Sequence, residues 1–552
     1  MMSTVAISAN QPRGQPPASL ESFELYHTEI RSVTMAPEEA GALHAFLCVL
    51  EKIEPAAARS DELTAALIAV LSASHDSSQA QRFVERSLCL EIAAIPPSND
   101  DQVRLSDSTI SMLTAFLHHG CNQSIALERF LVLLRRTLLK FAQTGQDPGV
   151  DQINLAEAMA RHSFTNEYIW ELTSAEEADV ATLVANVSER IGNGDKISAF
   201  DLFMIGAYQP LCAIEPIRNW ILKLGLRDPS ALDSSLRLLV FDRVQEDVTE
   251  IDAITAIDDA VSAEVRAQYE ENPYPRWRHL PKLTAHRGLT SYVASNLSQH
   301  SKVSALDPRH PKVLIAGAGT GRHPIEVAKA LPSSAVLAID LSRASLAYAT
   351  REAVTRGIAN VSFAQADILR LSGAGIEFDL IESVGVLHHM KDPEAGLRSL
   401  TRLLKPGGFL KLGLYSKVAR RGINVARNIF AAGDYPPGLP GIRAFRRDLF
   451  DHQDPDLASV LNASDFFSAS MFRDAVMHVK EHQHAIPEFE VMLRRNGLKF
   501  LGFSNASVLS ALGKMPAKTA RRRVLDLKFW DRYEGNNPDT FLGMYQFFCM
   551  KR

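Results

Sequence analysis

The apolar residues of this chain follow two different periods, and the change falls near residue 250. Over residues 21–250 they recur three and four positions apart, which is typical of helices with one buried face. Over residues 312–552, short apolar runs alternate with helical segments, as in a parallel sheet whose strands are joined by helices. The pattern therefore predicts an all-α domain at 21–250 and an α/β domain at 312–552.

Five apolar runs in the α/β domain are predicted to be strands. Two long segments interrupt the rest of the fold, at about 415–486 and 508–543, and are called excursions here. Segments of this length between the elements of a compact domain more often have a function than none. The last of the five runs follows a Pro-Gly-Gly turn. The predicted strands cover residues 313–316, 336–339, 361–366, 378–384 and 409–414.

The first predicted strand ends in a glycine-rich turn. Gly317, Gly319 and Gly321 let the backbone turn sharply and come close to a ligand. The second strand ends on Asp340, near the ~20-residue spacing at which a carboxylate meets a ribose diol in nucleotide-binding sheets. The third strand ends just before Asp367. A glycine turn alone is a weak signal, since it can serve packing only, but the ordered set of features favours a nucleotide site.

These motifs and their order resemble class I S-adenosylmethionine-dependent methyltransferases over roughly residues 260 to 552. The resemblance implies a Rossmann-like sheet of seven strands, the last two at 498–503 and 544–550, and S-adenosylmethionine as the cofactor. It places the glycine turn on the methionine part, Asp340 on the ribose hydroxyls and Asp367 near the adenine amine. The cofactor-binding residues that it implies are Gly317, Ala318, Gly319, Thr320, Gly321, Asp340, Leu341, Asp367, Ile368 and Glu382.

One position departs from the family pattern. Many members carry an acidic residue at the end of the first strand, where this chain has Ile315 and Ala316. The sequence therefore leaves open how the amino group of the cofactor is held.

Segments of the helical domain resemble a subgroup of bacterial methyltransferases in which tetratricopeptide repeats often precede the catalytic part. These segments are 127–136, 166–168 and 207–211. A self-similarity of roughly 34 residues, as in tetratricopeptide arrays, is not evident. Substrate docking and a scaffold or homodimer interface both remain open as roles for this domain.

Residues 251–311 are predicted to link the domains and to cover the cofactor pocket. The stretch 265–277 has two prolines one residue apart, which prevent a continuous helix, and aromatic residues that can anchor it to a surface. In the subgroup that the chain resembles, this stretch precedes the first strand. A linker that only packs against the core is the alternative. The candidates for contact with cofactor or substrate are Tyr269, Tyr274, Arg276 and Trp277.

A methyl group on a sulfonium is already activated, so such an enzyme mainly places the acceptor in line behind it. A base is needed only if the acceptor carries a proton at that moment. Histidines and carboxylates after the fourth strand and in the first excursion are candidates for the base or for orienting the acceptor. These are Glu382, His388, His389, His478, Glu481 and His482.

The predicted function is a methyltransferase that acts on a protein or peptide side chain. Roughly 240 residues of added helices are more than a small metabolite should need, and we expect the acceptor between the helical domain and the first excursion. A small-molecule methyltransferase in secondary or cofactor metabolism is one alternative. A non-catalytic binding protein is another, because the expected acidic residue is missing at Ile315 and Ala316.

No metal is predicted, although one short motif fits a different chemistry. The run from His478 through Glu481 to His482 matches the H-x-x-E-H pattern of inverted zinc hydrolases. On neighbouring helix turns, these three side chains could bind zinc with a distant carboxylate. Five-residue matches arise by chance, so the zinc hydrolase is kept only as an alternative.

Composition and charge are those of an ordinary soluble protein, with 46% hydrophobic and 22% charged residues. No apolar run reaches the ~18 residues of a membrane span, and residues 1–20 are predicted to be a disordered tail. The net charge of −5 gives no broad attraction to nucleic acid or membranes. Basic runs at 443–447 and 518–523 are predicted to be solvated. Five cysteines favour reduced, buried thiols in a cytoplasmic protein: Cys48, Cys89, Cys121, Cys212 and Cys549.

Overall fold

The structure is a computed structural model of the chain. The residues that it describes are 33–34, 50, 61–73, 78–93, 105–227, 234–247 and 249–552, the last range without 272, 278, 282, 304–306, 374, 453 and 479. The tail predicted at 1–20 and Cys48 lie outside the described residues.

The α/β part contains one sheet of eight strands among the described residues, where the sequence predicts seven. The strands are β1 Lys312–Ala316, β2 Ala335–Asp340, β3 Val361–Gln365, β4 Phe378–Val384, β5 Leu404–Ser416, β6 Gln483–His484, β7 Leu498–Phe503 and β8 Tyr545–Lys551. Seven of them follow the order β3-β2-β1-β4-β5-β8-β7, and β6 pairs with β5. The prediction missed β6 because two polar residues carry no apolar period.

Strands β1 to β5 pair in parallel, and β8 runs antiparallel to both of its neighbours. The parallel strands are nearly continuous apolar runs because helices cover both of their faces. Those helices are Arg322–Ala330, Arg343–Thr355, Pro393–Leu403 and Ile486–Arg495. The turn predicted before residue 409 lies inside β5, where the register with β4 shifts between Phe378 and Leu380. The carboxyl ends of the parallel strands therefore meet at one edge of the sheet.

The described residues between 61 and 247 are helical and contribute to one hydrophobic core. Their α-helices are Asp61–Ser72, Ser78–Ala93, Asp107–His119, Ile125–Ala142, Val150–Thr165, Ser174–Asn193, Ala199–Gly206, Glu215–Arg227, Ser234–Leu236 and Asp242–Asp247. A π-helical turn, Arg237–Phe241, joins the last two. Helices Ala260–Glu271 and Leu289–Ser295 lie between this domain and the sheet.

The first excursion, called the insertion below (residues 415–486), packs into the core of the helical domain. Its helices are Arg421–Ala432, Leu439–Asp451, Ala458–Leu461 and Ala469–Met477. Phe445, Phe466 and Phe472 of the insertion belong to the same buried cluster as Phe130 of the helical domain. The insertion and the helical domain thus form one hydrophobic unit, although about 165 residues of sequence, with nearly all of β1 to β5, separate them.

A buried ion pair crosses this junction and corrects one prediction. Arg446 donates to Glu128 from both terminal nitrogens, at 3.1 and 2.9 Å, and its Nε donates to the Phe466 carbonyl. Arg446 and Glu128 are 2% and 5% exposed. The solvated face predicted at 443–447 is therefore wrong for Arg446. A buried guanidinium needs such a bidentate partner, and the sequence alone does not show the partner.

The second excursion packs on the sheet. Its helices are Ala506–Gly513, Ala517–Arg523 and Leu527–Asn536, and the last of them contributes the fully buried Trp530 to the core that contains Phe503 and Phe547. Cys549 is also buried, but Cys121 is exposed, so the prediction of buried thiols is wrong for Cys121. In the described part of the chain, no helix combines the length and the apolar character needed to cross a bilayer.

Candidate functional site

A cavity of about 410 Å³ lies at the carboxyl ends of the parallel strands. It is bounded by the loops after β1 to β4, by β5, by helix Ala260–Glu271 and by the insertion. The predicted site residues that line it are Gly317, Ala318, Gly319, Asp340, Leu341, Asp367, Ile368, Tyr269, Tyr274 and His389. Thr320, Gly321, Arg276, Glu382, His388, His478, Glu481 and His482 do not line it.

The glycine loop (residues 317–321) needs its glycines for close packing. Gly317 and Gly319 have φ values of 91° and 50°. A Cβ on Gly317 would lie 2.1 Å from a methyl carbon of Val386, and one on Gly319 would lie 2.7 Å from the Tyr274 carbonyl oxygen. Gly321 instead allows close packing against Ala349, because a Cβ on Gly321 would lie only 2.5 Å from the Cβ of Ala349. Two of the three glycines therefore shape the cavity, and the third serves packing.

Asp340 lies at the end of β2 with both carboxylate oxygens oriented by backbone groups. Oδ2 accepts from the Gly319 N–H at 2.8 Å, and Oδ1 accepts from the Ser342 N–H at 3.0 Å. Burial raises the pKa of Asp340 above its ordinary value, although these N–H groups oppose the shift. Each oxygen keeps a lone pair for a further donor. The carboxylate can thus accept hydrogen bonds from two adjacent hydroxyl groups.

Asp367 follows β3 and lines the cavity between Ala366 and Ile368. Its Oδ1 accepts from the Leu369 N–H at 2.9 Å. Its Oδ2 is buried and has no hydrogen-bond partner among the described residues. An unsatisfied buried acceptor is costly, so this oxygen fits the amino group of a bound ligand.

The lid segment (residues 265–277) divides into cavity-facing and packing residues. Tyr269 and Tyr274 line the cavity, so both stay candidates for contact with cofactor or substrate. Arg276 instead lies 3.3 Å from Glu167 of the helical domain, with its guanidinium over Phe164. Trp277 is 5% exposed and donates from Nε1 to the Thr320 carbonyl at 3.0 Å. Neither Arg276 nor Trp277 lines the cavity and each has a partner in the protein, which argues against the predicted contact with a ligand.

Thr320 holds this lid segment to the glycine loop. Its N–H donates to the Tyr274 carbonyl at 3.3 Å, and its hydroxyl donates to the Pro275 carbonyl. Thr320 is fully buried and does not line the cavity, which argues against the predicted direct contact with the cofactor. Its side chain acts on the site through the position of the lid.

Glu382 is fully buried in β4, beside the cavity but not on its wall. It accepts from the Tyr292 hydroxyl at 2.9 Å and from His323 Nε2 at 2.6 Å, and the Lys411 ammonium lies 3.5 Å away. Burial raises the pKa of Glu382, but Lys411, His323 and Tyr292 outweigh that effect and bring the pKa to about 2. A group that stays ionised at neutral pH and has no free access cannot exchange a proton with an acceptor, which argues against the predicted catalytic role.

Two stacked histidines lie where the insertion meets the cavity. The His389 and His478 rings are 3.6 Å apart and nearly parallel, at 23°. His389 Nδ1 lies 2.8 Å from the Lys480 carbonyl, which can only accept, so this nitrogen carries the proton. His478 Nδ1 accepts from the Lys480 N–H at 3.1 Å, so its proton is on Nε2. Burial lowers the pKa of both rings to about 4, and both are neutral at pH 7.

Asp474 is a site residue that the sequence analysis missed. It lines the cavity from helix Ala469–Met477, is 4% exposed, and accepts from the Tyr269 hydroxyl. Burial raises the pKa of Asp474 above its ordinary value. The available signal was its position on the buried face of that helix, beside Phe472 and Ala475. Other cavity residues missed by the sequence analysis are Tyr415, Lys411 and His323.

The three remaining catalytic candidates have structural surroundings. His388 is fully buried and stacks on Tyr415 at 3.7 Å. Glu481 pairs with Arg420 and, at 2.9 Å, with Arg427. The His482 N–H donates to the His388 carbonyl at 2.7 Å. None of these three side chains lines the cavity, which argues against the predicted catalytic role.

The zinc alternative does not match this geometry. Helix Ala469–Met477 ends before His478, so His478 and His482 do not lie on neighbouring turns of one helix, and Glu481 is engaged by two arginines. A different trio, His389, Asp474 and His478, brings one ligand atom from each residue within 4.8 Å. A metal-binding histidine normally donates its second N–H, and His389 does so, but His478 accepts there instead. The hydrogen bond that His478 accepts therefore argues against a metal at this trio.

Residues 313–408 match a family model described as a methyltransferase domain. An uncharacterized protein of Synechococcus is 28% identical over 308 residues, which are 50% of this chain and 69% of that protein. A trans-aconitate 2-methyltransferase of Deinococcus radiodurans is 36% identical over 110 residues, which are 20% of this chain and 40% of that enzyme. The structure of PKMT2 from Rickettsia typhi in complex with AdoHcy is 18% identical with a TM-score of 0.39, and covers 49% of this chain and 56% of that one. The matched part of this chain thus spans 40% of the Deinococcus radiodurans enzyme and 56% of PKMT2, less than two thirds of the length of either.

Proposed function

We propose that the chain transfers a methyl group from S-adenosylmethionine to an acceptor bound in the cavity, because residues 313–408 match a methyltransferase-domain model whose members use this cofactor. One observation carries the proposal. The cavity joins an unsatisfied Asp367 oxygen and the oriented Asp340 carboxylate on one side to Asp474 and His389 on the other. A nucleoside ligand and a proton acceptor thus share one enclosed space.

The cofactor side fits a nucleoside with a long substituent. Asp340 offers lone pairs to the two ribose hydroxyls, and Asp367 Oδ2 offers one to the adenine amine. Gly317 and Gly319 leave the backbone open where any side chain would collide with Val386 or the lid. When bound, S-adenosylmethionine supplies a methyl group on a sulfonium, which is already activated for transfer.

On the acceptor side, the chain must orient the acceptor and remove its proton. Asp474 is suited to take the proton, because burial makes this carboxylate a stronger base than an exposed one. The Tyr269 hydroxyl holds the carboxylate in place. His389, whose Nε2 keeps its lone pair at pH 7, lines the same wall and can orient an N–H or O–H of the acceptor. Tyr269, Tyr274 and Tyr415 reduce access of water.

We propose that the acceptor is a side chain of a protein or peptide. A cavity of about 410 Å³ lies near the lower end of the ~300–1,000 Å³ range of small-ligand sites. Beside a cofactor it has room for a small group, and the rest of a large acceptor would stay outside. The helical domain and the insertion share a core, and no described residue of 61–247 lines the cavity, which argues against the expected acceptor site between them and favours the cavity. A small-molecule acceptor is the alternative.

Calorimetry with S-adenosylhomocysteine tests the cofactor side. The wild-type protein should bind it, and Asp340→Ala should weaken binding by about 100-fold, since two hydrogen bonds to a charged group are lost. Asp451→Ala, which removes an exposed carboxylate of the insertion, is the matched control and should bind normally. A wild-type protein without measurable binding would overturn the proposal and favour a non-catalytic role.

A second experiment separates the acceptor classes. The protein is incubated with methyl-labelled S-adenosylmethionine and a cell lysate, which is then divided by size. Label in the macromolecular fraction that protease releases supports a protein acceptor. Label confined to the small-molecule fraction overturns that choice and leaves a methyltransferase of small molecules.

A further inference from the structure

The amino-acid end of the cofactor has no obvious partner in the sequence, because Ile315 and Ala316 stand where the methyltransferases that the chain resembles often carry an acidic residue. The structure provides a carboxylate next to that position. In the parallel pairing of β1 with β4, Ile315 is the register partner of Glu382. Register partners on neighbouring strands project from the same face of a sheet. Glu382 therefore lies one strand away from the missing charge.

Two cavity-lining side chains connect Glu382 to the cavity. His323 Nε2 lies 2.6 Å from one Glu382 oxygen, and Lys411 Nζ lies 3.5 Å from the same oxygen. Because a carboxylate can only accept, His323 carries a proton on Nε2, and in the tautomer with this single proton Nδ1 keeps a lone pair. His323 is 26% exposed and Lys411 is 13% exposed, and both line the cavity.

The charges at this end of the cavity balance. Lys411 and Arg322 are cationic, whereas Glu382 and Glu326 are anionic, and Arg322 pairs with Glu326 at 2.9 Å. Arg322 and Glu326 also line the cavity. A neutral arrangement of separated charges suits a zwitterion better than it suits a simple anion or cation. The amino-acid end of S-adenosylmethionine is such a zwitterion.

We infer that His323 and Lys411 bind the amino-acid end of the cofactor, and that Glu382 is the positioning residue that replaces the missing acidic side chain of β1. Lys411 donates to the carboxylate of the cofactor, and His323 Nδ1 accepts from its amino group. Glu382 holds the His323 tautomer and the Lys411 ammonium without touching the ligand. The inference rests on the proposed function and adds the residues that recognise this end of the cofactor.

A pair of ligands isolates this contact from the rest of the site. S-adenosylhomocysteine carries the amino-acid end, and 5′-methylthioadenosine lacks it but keeps the nucleoside and the sulfur. Calorimetry with both ligands is done on the wild-type chain and on His323→Ala, Lys411→Met and Glu382→Gln. We expect each variant to lose about 10- to 100-fold in affinity for S-adenosylhomocysteine, as for a hydrogen bond to a charged group, and to keep its affinity for 5′-methylthioadenosine.

Lys405→Met is the matched control. Lys405 is on β5, as Lys411 is, but it pairs with Asp379 at 2.7 Å and does not line the cavity. This variant should therefore bind both ligands as the wild type does. Retained affinity for 5′-methylthioadenosine also shows that a variant is folded, and His323→Ala, at a partly exposed position, covers the case in which Glu382→Gln fails to fold.

The outcomes are distinct. Unchanged binding of S-adenosylhomocysteine by His323→Ala and Lys411→Met overturns the inference, and so does an equal loss of both ligands in His323→Ala. A wild-type preference for neither ligand overturns it as well. If the wild-type chain binds neither ligand at all, the proposed function itself fails.

Discussion

The two sides of the cavity are built from the chain in opposite ways. On the cofactor side, the glycine loop, Asp340 and Asp367 follow three strands in order within 55 residues, each placed by the end of its own strand. On the acceptor side, Tyr269, His389, Tyr415 and Asp474 come from four segments spread over about 200 residues. The first side depends on the sheet. The second depends on how the insertion is held.

The helical domain holds the insertion in place. Glu167 accepts from the Ser468 hydroxyl and from the Ser470 N–H, and its other oxygen faces Arg276 of the lid segment. One side chain of the helical domain thus contacts both the lid and the helix that carries Asp474. Although none of its described residues lines the cavity, this domain positions two of the elements that do. Its relation to the tetratricopeptide subgroup stays a prediction.

The largest expected effect separates the two sides directly. Asp474→Asn removes the proposed base, and we expect methyl transfer to fall by about 10²- to 10⁴-fold while binding of S-adenosylhomocysteine is unchanged. Incorporation of labelled methyl into the accepting lysate fraction and calorimetry measure the two quantities. Asp465→Asn, at a neighbouring carboxylate that does not line the cavity, is the control. Normal transfer by Asp474→Asn would show that the acceptor needs no base here.

The next effect concerns the junction between insertion and helical domain. Arg446→Met leaves Glu128 buried without its partner, so the free energy of unfolding should fall by about 3–5 kcal/mol. Replacing both residues, as Arg446→Met with Glu128→Leu, should recover much of that loss, because no unpaired charge remains. Urea unfolding of the three proteins measures the difference. Equal stability of the single variant and the wild type would mean that this pair does not hold the insertion.

The smallest effect is the pH dependence of stability on the acceptor side. His389 and His478 have a pKa of about 4 in the folded protein, against ~6.5 when unfolded. Between these values the unfolded chain binds more protons, so the free energy of unfolding should fall as the pH falls from about 6.5 to 4, by at most ~1.4 kcal/mol per pH unit for each histidine. Chemical unfolding across that range measures the slope.

A single replacement shows which histidines cause that slope. His389→Gln should make it shallower, whereas His452→Gln, at an exposed position of the insertion, should leave it as in the wild type. Identical slopes for all three proteins would contradict the placement of neutral histidines beside the cavity.

The sequence by itself determined the sheet and the cofactor side. Apolar runs predicted the positions of five strands, and the family resemblance added two more. The residues that follow a strand are placed by that strand, so Gly317, Gly319, Asp340 and Asp367 could be found from local pattern. The chain order of the motifs also carried the family resemblance. The edge strand β6 was missed, since Gln483 and His484 show no such pattern.

Only the tertiary structure decided which polar residues face the cavity. Arg276, Glu382 and Glu481 were candidates because of their residue type. Each forms an ion pair within the protein instead, and its partner lies between 29 and 109 residues away in sequence. Asp474 was missed for the same reason, because its neighbours Tyr269 and His389 reach it only when the insertion joins the helical core. Local periodicity fixes where a strand or helix forms, whereas the partner of a buried charge depends on long-range packing.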